Sequence, residues 1–96
     1  MAEEGFLVRV ITPEDVFLEA RATSLMAPGY EGYLGVLQSH APLVTPLVKG
    51  NLTLRLADRT EKRFEIESGF LEVSRNQVLI LVEKISEYAG ANSSVG

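Results

Sequence analysis

Cysteine and tryptophan are absent from this 96-residue chain, and histidine occurs once. Without cysteine there is no disulfide framework, no thiolate metal site and no thiol nucleophile. One histidine falls short of the three protein ligands, rich in histidine, that a catalytic zinc site takes. Nowhere do about 18 uninterrupted apolar residues occur, so no transmembrane helix is predicted. The acidic start, Met1-Ala2-Glu3-Glu4-Gly5, lacks the apolar run of a signal peptide. Basic clusters are missing too, since the nine Lys and Arg are scattered and the formal net charge is −4. That balance argues against a nucleic-acid partner and against direct adsorption on anionic lipid, both of which need concentrated positive charge. A soluble, intracellular protein is expected, and membrane contact is expected only through partner proteins.

What the chain does have is 46% hydrophobic residues arranged mostly with a period of two. Leu52, Leu54 and Leu56 alternate with Thr53 and Arg55, which reads as a half-buried strand over 51–56. Phe64 and Ile66 repeat the pattern against Arg63, Glu65 and Glu67, and the turn-like Asp58-Arg59-Thr60-Glu61 makes a hairpin of the pair. Phe6, Val8 and Val10 alternate up to Thr12-Pro13-Glu14-Asp15, after which 16–20 returns as a partner strand. Over 21–27, Ala22, Ser24 and Met26 are placed on one face and Thr23 and Leu25 on the other, ending at Pro28-Gly29. Val78-Leu79-Ile80-Leu81-Val82 is apolar on both faces, so a strand covered on both sides is expected there. No stretch before Glu83 has helical periodicity, and 83–88 offers barely one and a half turns. The expected fold is all-β, a two-layer sandwich or flattened barrel of about eight to ten short strands with very little helix. One domain over 1–88 is followed by a small, polar, unpatterned tail, 89–96, expected to be mobile.

Three glycines, the histidine and a proline crowd into Gly29–Pro42, which marks this segment as the place to seek function. Gly29, Gly32 and Gly35 suggest tight reversals around a very short strand, and Pro42 stiffens the exit. Catalysis fits poorly. His40 has no second histidine, and its neighbour Ser39 lies in no Gly-x-Ser-x-Gly elbow and has no orienting carboxylate nearby in sequence. The glycine spacing is no phosphate cradle, because no Gly-Lys-Ser/Thr follows and no helix opens there. Glu31, Glu72 and Glu83 fall on different elements and read as solvated charges. Asn51-Leu52-Thr53 and Asn92-Ser93-Ser94 match the glycosylation tripeptide, an accidental match without a secretory signal. Tyr30, Tyr33, Leu34 and Leu37 are more telling, since a loop this apolar either packs on itself or meets another surface.

The order of these pieces resembles the N-terminal β-sandwich domain of the F-type ATP synthase epsilon subunit. The resemblance rests on Gly29-Tyr30-Glu31-Gly32-Tyr33-Leu34-Gly35-Val36, His40-Ala41-Pro42-Leu43-Val44-Thr45, Lys49-Gly50, and Ser68-Gly69-Phe70-Leu71-Glu72-Val73 before the apolar strand 77–82. It runs over roughly residues 6–83. Gln38 and Ser39 stand where the family usually has Pro-Gly, which predicts a different turn, and Ser68 replaces the first glycine of a later pair. The two-helix hairpin that commonly follows in the family, associated with ATP sensing and inhibition of hydrolysis, is not expected here, so that regulation is not carried over. The resemblance implies a noncatalytic central-stalk rotor subunit of a proton-translocating synthase. It would link the gamma subunit to the ring of membrane c subunits, on the cytoplasmic face of a bacterial inner or thylakoid-type membrane. By analogy Tyr30, Glu31, Gly32 and Tyr33 face the c ring, and Thr12, His40, Pro42 and Leu43 face gamma. No cofactor, metal or catalytic residue is implied. The competing reading is a biotinyl- or lipoyl-type carrier domain, for which Lys49 between Val48 and Gly50 is the only tempting lysine, in the wrong context.

Overall fold

A computed structural model of the protein describes residues 5–87. Those residues form seven strands and no helix: β1 (Phe6–Ile11), β2 (Val16–Gly29), β3 (Gly32–Leu37), β4 (Leu43–Leu47), β5 (Gly50–Leu56), β6 (Glu61–Ser74) and β7 (Gln77–Glu87). The alternating segments pair as their patterns require. β1 returns antiparallel on β2, with Val8 opposite Ala20, and β5 returns on β6, with Leu52 opposite Phe64. β1 also lies parallel to β7, with Val8 opposite Val78. Pairing of β5 with β2 and of β6 with β7 completes a circuit through β1, β2, β5, β6 and β7. β3 and β4 extend it beside β2 and β6. The result is the all-β sandwich that the alternation predicts.

The strands number seven rather than eight to ten because β2 and β6 are each 14 residues long and serve both layers. A strand that changes layer needs a bend, and bulges supply it. In β2 the register slips between Ala22 and Ser24, so Ala22 and Leu25 are both buried although three residues apart. This corrects the face assigned to Ser24 and Met26: Met26 points to solvent, and Leu25 and Ala27 fill the interior. In β6 the buried set shifts from Phe64 and Ile66 to Leu71 and Val73 across Ser68, whose φ is 26°.

The core is wholly apolar among the described residues, with Phe6, Leu52, Leu54, Ile66, Leu71 and Ile80 fully enclosed and no buried polar residue. Such a core derives its stability from area removed from water, about 25 cal/mol per Å². β7 departs from expectation. Val78, Ile80 and Val82 are buried, but Leu79 is half-buried and Leu81 is 43% exposed. The described residues form only two layers, so none of them covers the outer face of β7. Residues 83–87 continue β7, with 84–87 opposite 64–67, instead of starting a helical turn. The tail 89–96 lies outside the described residues.

Candidate functional site

Gly29 and Gly32 pair across a two-residue reversal, Tyr30-Glu31, that joins β2 to β3. Two-residue hairpins usually place positive φ at their central residues. Here Tyr30 and Glu31 do not adopt it; Gly32 does, with φ 127°, a region that side chains other than glycine rarely enter. Gly35 lies within β3, not in a turn.

Three hydrogen bonds clamp this tip and the Pro28 beside it to residues 46–51, where β4 ends and β5 begins. The Tyr30 N–H donates to the Pro46 carbonyl at 3.0 Å, and the Val48 N–H donates to the Pro28 carbonyl at 2.9 Å. The Asn51 N–H donates to the Tyr33 hydroxyl at 3.0 Å. Gly50 leaves the room that brings this about, since a Cβ there would lie 2.8 Å from the Tyr33 hydroxyl and 2.7 Å from the Pro28 Cβ. The tip is thus held from both sides while Tyr30 stays 71% exposed and Tyr33 57% exposed. Val48 and Lys49 are exposed beside them, so one end of the sandwich carries a fixed rim of two phenol rings, an aliphatic side chain and opposite charges on Glu31 and Lys49. A buried, pre-ordered backbone beneath exposed aromatic side chains is suited to docking, because little freedom is lost on contact.

The other predicted site residues divide between the two ends. His40, Pro42 and Leu43 lie at the end opposite the rim, His40 near Phe6, Val73 and Asn76, and Leu43 opposite Val73. Thr12 follows the far end of β1 and shares a shallow groove with Pro46, Phe70 and Leu81, so it neighbours the rim and not His40. His40 donates from Nδ1 to the Ala41 carbonyl at 2.6 Å, a bond that fixes its ring locally. Its N–H closes a turn on the Leu37 carbonyl at 3.1 Å with Ser39 at φ 67°. Ser39 thus takes the left-handed third position of this turn, a place that favours glycine. The Gln38 side chain accepts from the Gly5 N–H at 3.1 Å and ties the chain's start to this turn.

Sequence reasoning missed the outer face of β1, β7, β6 and β4. Registers place Ile11, Leu81, Phe70 and Pro46 in one row across these strands, with Val44, Glu72, Leu79 and Arg9 in the next. Phe70 is 54% exposed, and Val44 and Leu81 are exposed as well. The doubly apolar run 78–82 was the available signal. It indicated a second covering layer that the described residues do not provide. The open groove on the neighbouring side, of ≈ 910 Å³, is lined by Thr12, Phe17, Lys49, Glu65, Glu83 and Lys84 among others, with no histidine among its liners. Lys49, the carrier-domain candidate, belongs to this β4–β5 connection and not to a protruding hairpin tip.

Comparison with known proteins agrees with this geometry. Residues 5–87 match the family described as ATP synthase, Delta/Epsilon chain, beta-sandwich domain. An ATP synthase epsilon chain of Moorella thermoacetica is 51% identical over 76 residues, covering 79% of this chain and 57% of that one. One from Chlorobium limicola is 38% identical over 85 residues, covering 88% of this chain and 97% of its own length. The chain therefore spans little more than half of the first relative and nearly all of the second. Among solved structures, a chain of the Euglena gracilis mitochondrial ATP synthase OSCP/F1/c-ring assembly superimposes with a TM-score of 0.84 at 19% identity, covering 91% of this chain and 56% of that one. A chain of the Tetrahymena thermophila central stalk/c-ring superimposes with a TM-score of 0.76 at 17% identity, over 98% and 75%. At such identities these two establish the shared fold alone.

Proposed function

The chain belongs to the family of ATP synthase delta/epsilon β-sandwich domains, whose epsilon chains are non-catalytic subunits, and from that premise we propose that it joins the two rotating parts of the synthase. In this reading the Tyr30–Tyr33 rim rests on the ring of c subunits, and the gamma subunit lies along the outer face bounded by Thr12 at one end and by His40, Pro42 and Leu43 at the other. The exposed Phe70 and Leu81, in one row with half-buried Ile11 at the Thr12 end of that face, supply the apolar area such a contact needs. The complex sits at the cytoplasmic face of a membrane that this chain meets only through its partners; among the described residues no helix is long and apolar enough to cross one.

The observation that carries the proposal is the doubly clamped rim. Torque passed between a shaft and a ring is wasted by any compliant link. A two-layer core packed at crystal-like density, with its contact loop bonded to the next strand connection, yields little under shear. No step of chemistry is required of it. Reconstitution tests the reading: a synthase assembled without this chain is expected to hydrolyse ATP with proton pumping uncoupled, and adding the chain back restores pumping. Normal coupling in the depleted assembly defeats the proposal. The carrier-domain alternative is not favoured, given the family match and the position of Lys49.

A further inference from the structure

Sheet edges expose unpaired backbone groups, and natural proteins blunt them with charge, proline or bulges. Among the described residues the strand edges without a partner are those of β3, of most of β4, of the last residues of β7, of Val16–Ala20 in β2 and of Glu61–Arg63 in β6, the last two carrying the charges of Glu19 and of Glu61, Lys62 and Arg63. The β4 edge is interrupted by Pro46, with Pro42 just ahead of it, and the end of β7 carries Glu83, Lys84 and Glu87. The edge of β3 has none of these protections. Its six residues, Gly32-Tyr33-Leu34-Gly35-Val36-Leu37, include no charge and no proline, and they pair only with β2, in unbroken register. Counting the antiparallel alternation from the Gly29–Gly32 closing pair, Tyr33 and Gly35 turn their N–H and C=O groups to the free side, and Leu37 its N–H, its carbonyl being taken by the His40 N–H.

Gly35 adds a second observation. Its φ is not positive, and a Cβ built on it would meet only the Leu25 carbonyl and the Met26 sulfur, both at 3.8 Å. Neither conformation nor internal packing requires a glycine there. Its effect is on the outside, where Gly35 leaves a gap between the exposed side chains of Tyr33, Leu37 and Met26, beside a depression of ≈ 440 Å³. A large side chain on a neighbouring strand covers a glycine gap of this kind.

We infer that the free edge of β3 receives an extended segment of another polypeptide, which adds a strand to the sheet and seats a bulky apolar or aromatic side chain over Gly35. The inference rests on the reading of this chain as one subunit of an assembly. β3 begins at the Tyr30–Tyr33 rim and ends one turn before His40, so its edge runs between the two proposed contact regions. A second copy of the chain would repel through a net charge of −4 on each, whereas an uncharged strand from a neighbouring subunit meets an uncharged edge. Strand addition of this type draws affinity from backbone bonds and specificity from the alternating side-chain sites.

Hydrogen exchange on the assembled synthase tests this. In the free chain the Tyr33, Gly35 and Leu37 amides are expected to exchange at least a hundredfold faster than those of Leu34 and Val36. In the assembly they are expected to slow to match them. Gly35→Glu places charge over the gap with its Cβ no closer than 3.8 Å to the Leu25 carbonyl and the Met26 sulfur; it should leave the melting temperature of the free chain nearly unchanged and lower its retention in the assembly at least tenfold. Should Gly35→Glu fail to fold, the exchange measurement on the wild-type chain decides alone. Unprotected β3 amides in a stably assembled, coupled complex overturn the inference and leave the functional reading standing. Protection that appears in the free chain with rising concentration, alongside a dimer in sedimentation, overturns it in favour of self-pairing. A chain that never enters the assembly overturns both.

Discussion

Replacing Gly50 by alanine probes the rim where its parts converge. The new Cβ would lie 2.7 Å from the Pro28 Cβ and 2.8 Å from the Tyr33 hydroxyl, with the Pro28 Cγ at 3.1 Å. Pro28 is buried in β2 and cannot yield cheaply, whereas the Tyr33 ring is exposed and can swing away. Two costs combine. Overpacking against Pro28 is worth about 1–3 kcal/mol, and loss of the bond from the Asn51 N–H to the Tyr33 hydroxyl adds about 1 kcal/mol. A total near 2–4 kcal/mol lowers the melting temperature of a domain this small by roughly 10–20 °C. Tyr33→Phe alone removes only the bond and should cost about 1 kcal/mol or less, because the exposed Asn51 N–H can turn to water. In the double variant the hydroxyl is already gone, so the two costs should sum to less than their separate values. Thermal and urea unfolding supply the energies, and exchange of the Asn51 amide reports the bond. A Gly50→Ala chain that melts within 2 °C of wild type, with the Asn51 amide still protected, would refute the account of how the rim is held.

Four other expectations follow from named positions. Leu54→Ala empties a fully enclosed site and should cost about 2–5 kcal/mol in urea unfolding; a loss below half of one would show that Leu54 is not core. Ser39→Gly should raise stability by about 0.5–1 kcal/mol, because it relieves a left-handed residue at more than the entropy glycine adds to the unfolded chain; destabilisation contradicts that reading of the turn. Phe70→Glu should leave the free chain's unfolding midpoint nearly unchanged, since the ring is surface-exposed, while weakening gamma binding at least tenfold in a pull-down titration; unaltered binding removes that face from the interface. The Asp58 carboxyl is held below the usual carboxylate range, first by the Thr60 N–H, 2.9 Å from Oδ1, and then by the Thr60 hydroxyl. A lowered folded-state value means the contribution is present above the unfolded carboxylate's pKa and is lost as pH falls through the folded one. The stability advantage of wild type over Asp58→Asn should therefore shrink toward pH 2, and an advantage that grows on acidification would contradict the assignment.

Local pattern made much of this molecule legible. Alternation over 51–56 and 62–67, with the Asp58–Glu61 turn between, is enough to specify a hairpin, because side-chain direction in a strand depends only on position parity. Gly29 and Gly32 mark the reversal at the rim for a similarly local reason: the chain needs a residue tolerant of positive φ within a span of four. The order of the glycine segment, His40-Ala41-Pro42 and the Ser68–Val73 element also sufficed to suggest the family. Several features escaped because they depend on what lies opposite. The slip at Ala22/Ser24 and the bend at Ser68 change which parity faces inward, and both arise where a long strand passes from one layer to the other. Leu81 looked doubly buried because periodicity records a residue's polarity but not whether another layer exists to cover it.

The sequence by itself determined that the chain forms antiparallel β-hairpins around an apolar core, since period, turn residues and hydrophobicity act within a few residues of one another. Tertiary structure alone decided the parallel meeting of β1 and β7, the separation of Thr12 from His40 and the clamp of Pro46–Asn51 on Tyr30–Tyr33. Each depends on how segments distant in sequence are placed. Their closeness comes from the free energy of closing the whole sandwich, a quantity no local window of residues contains.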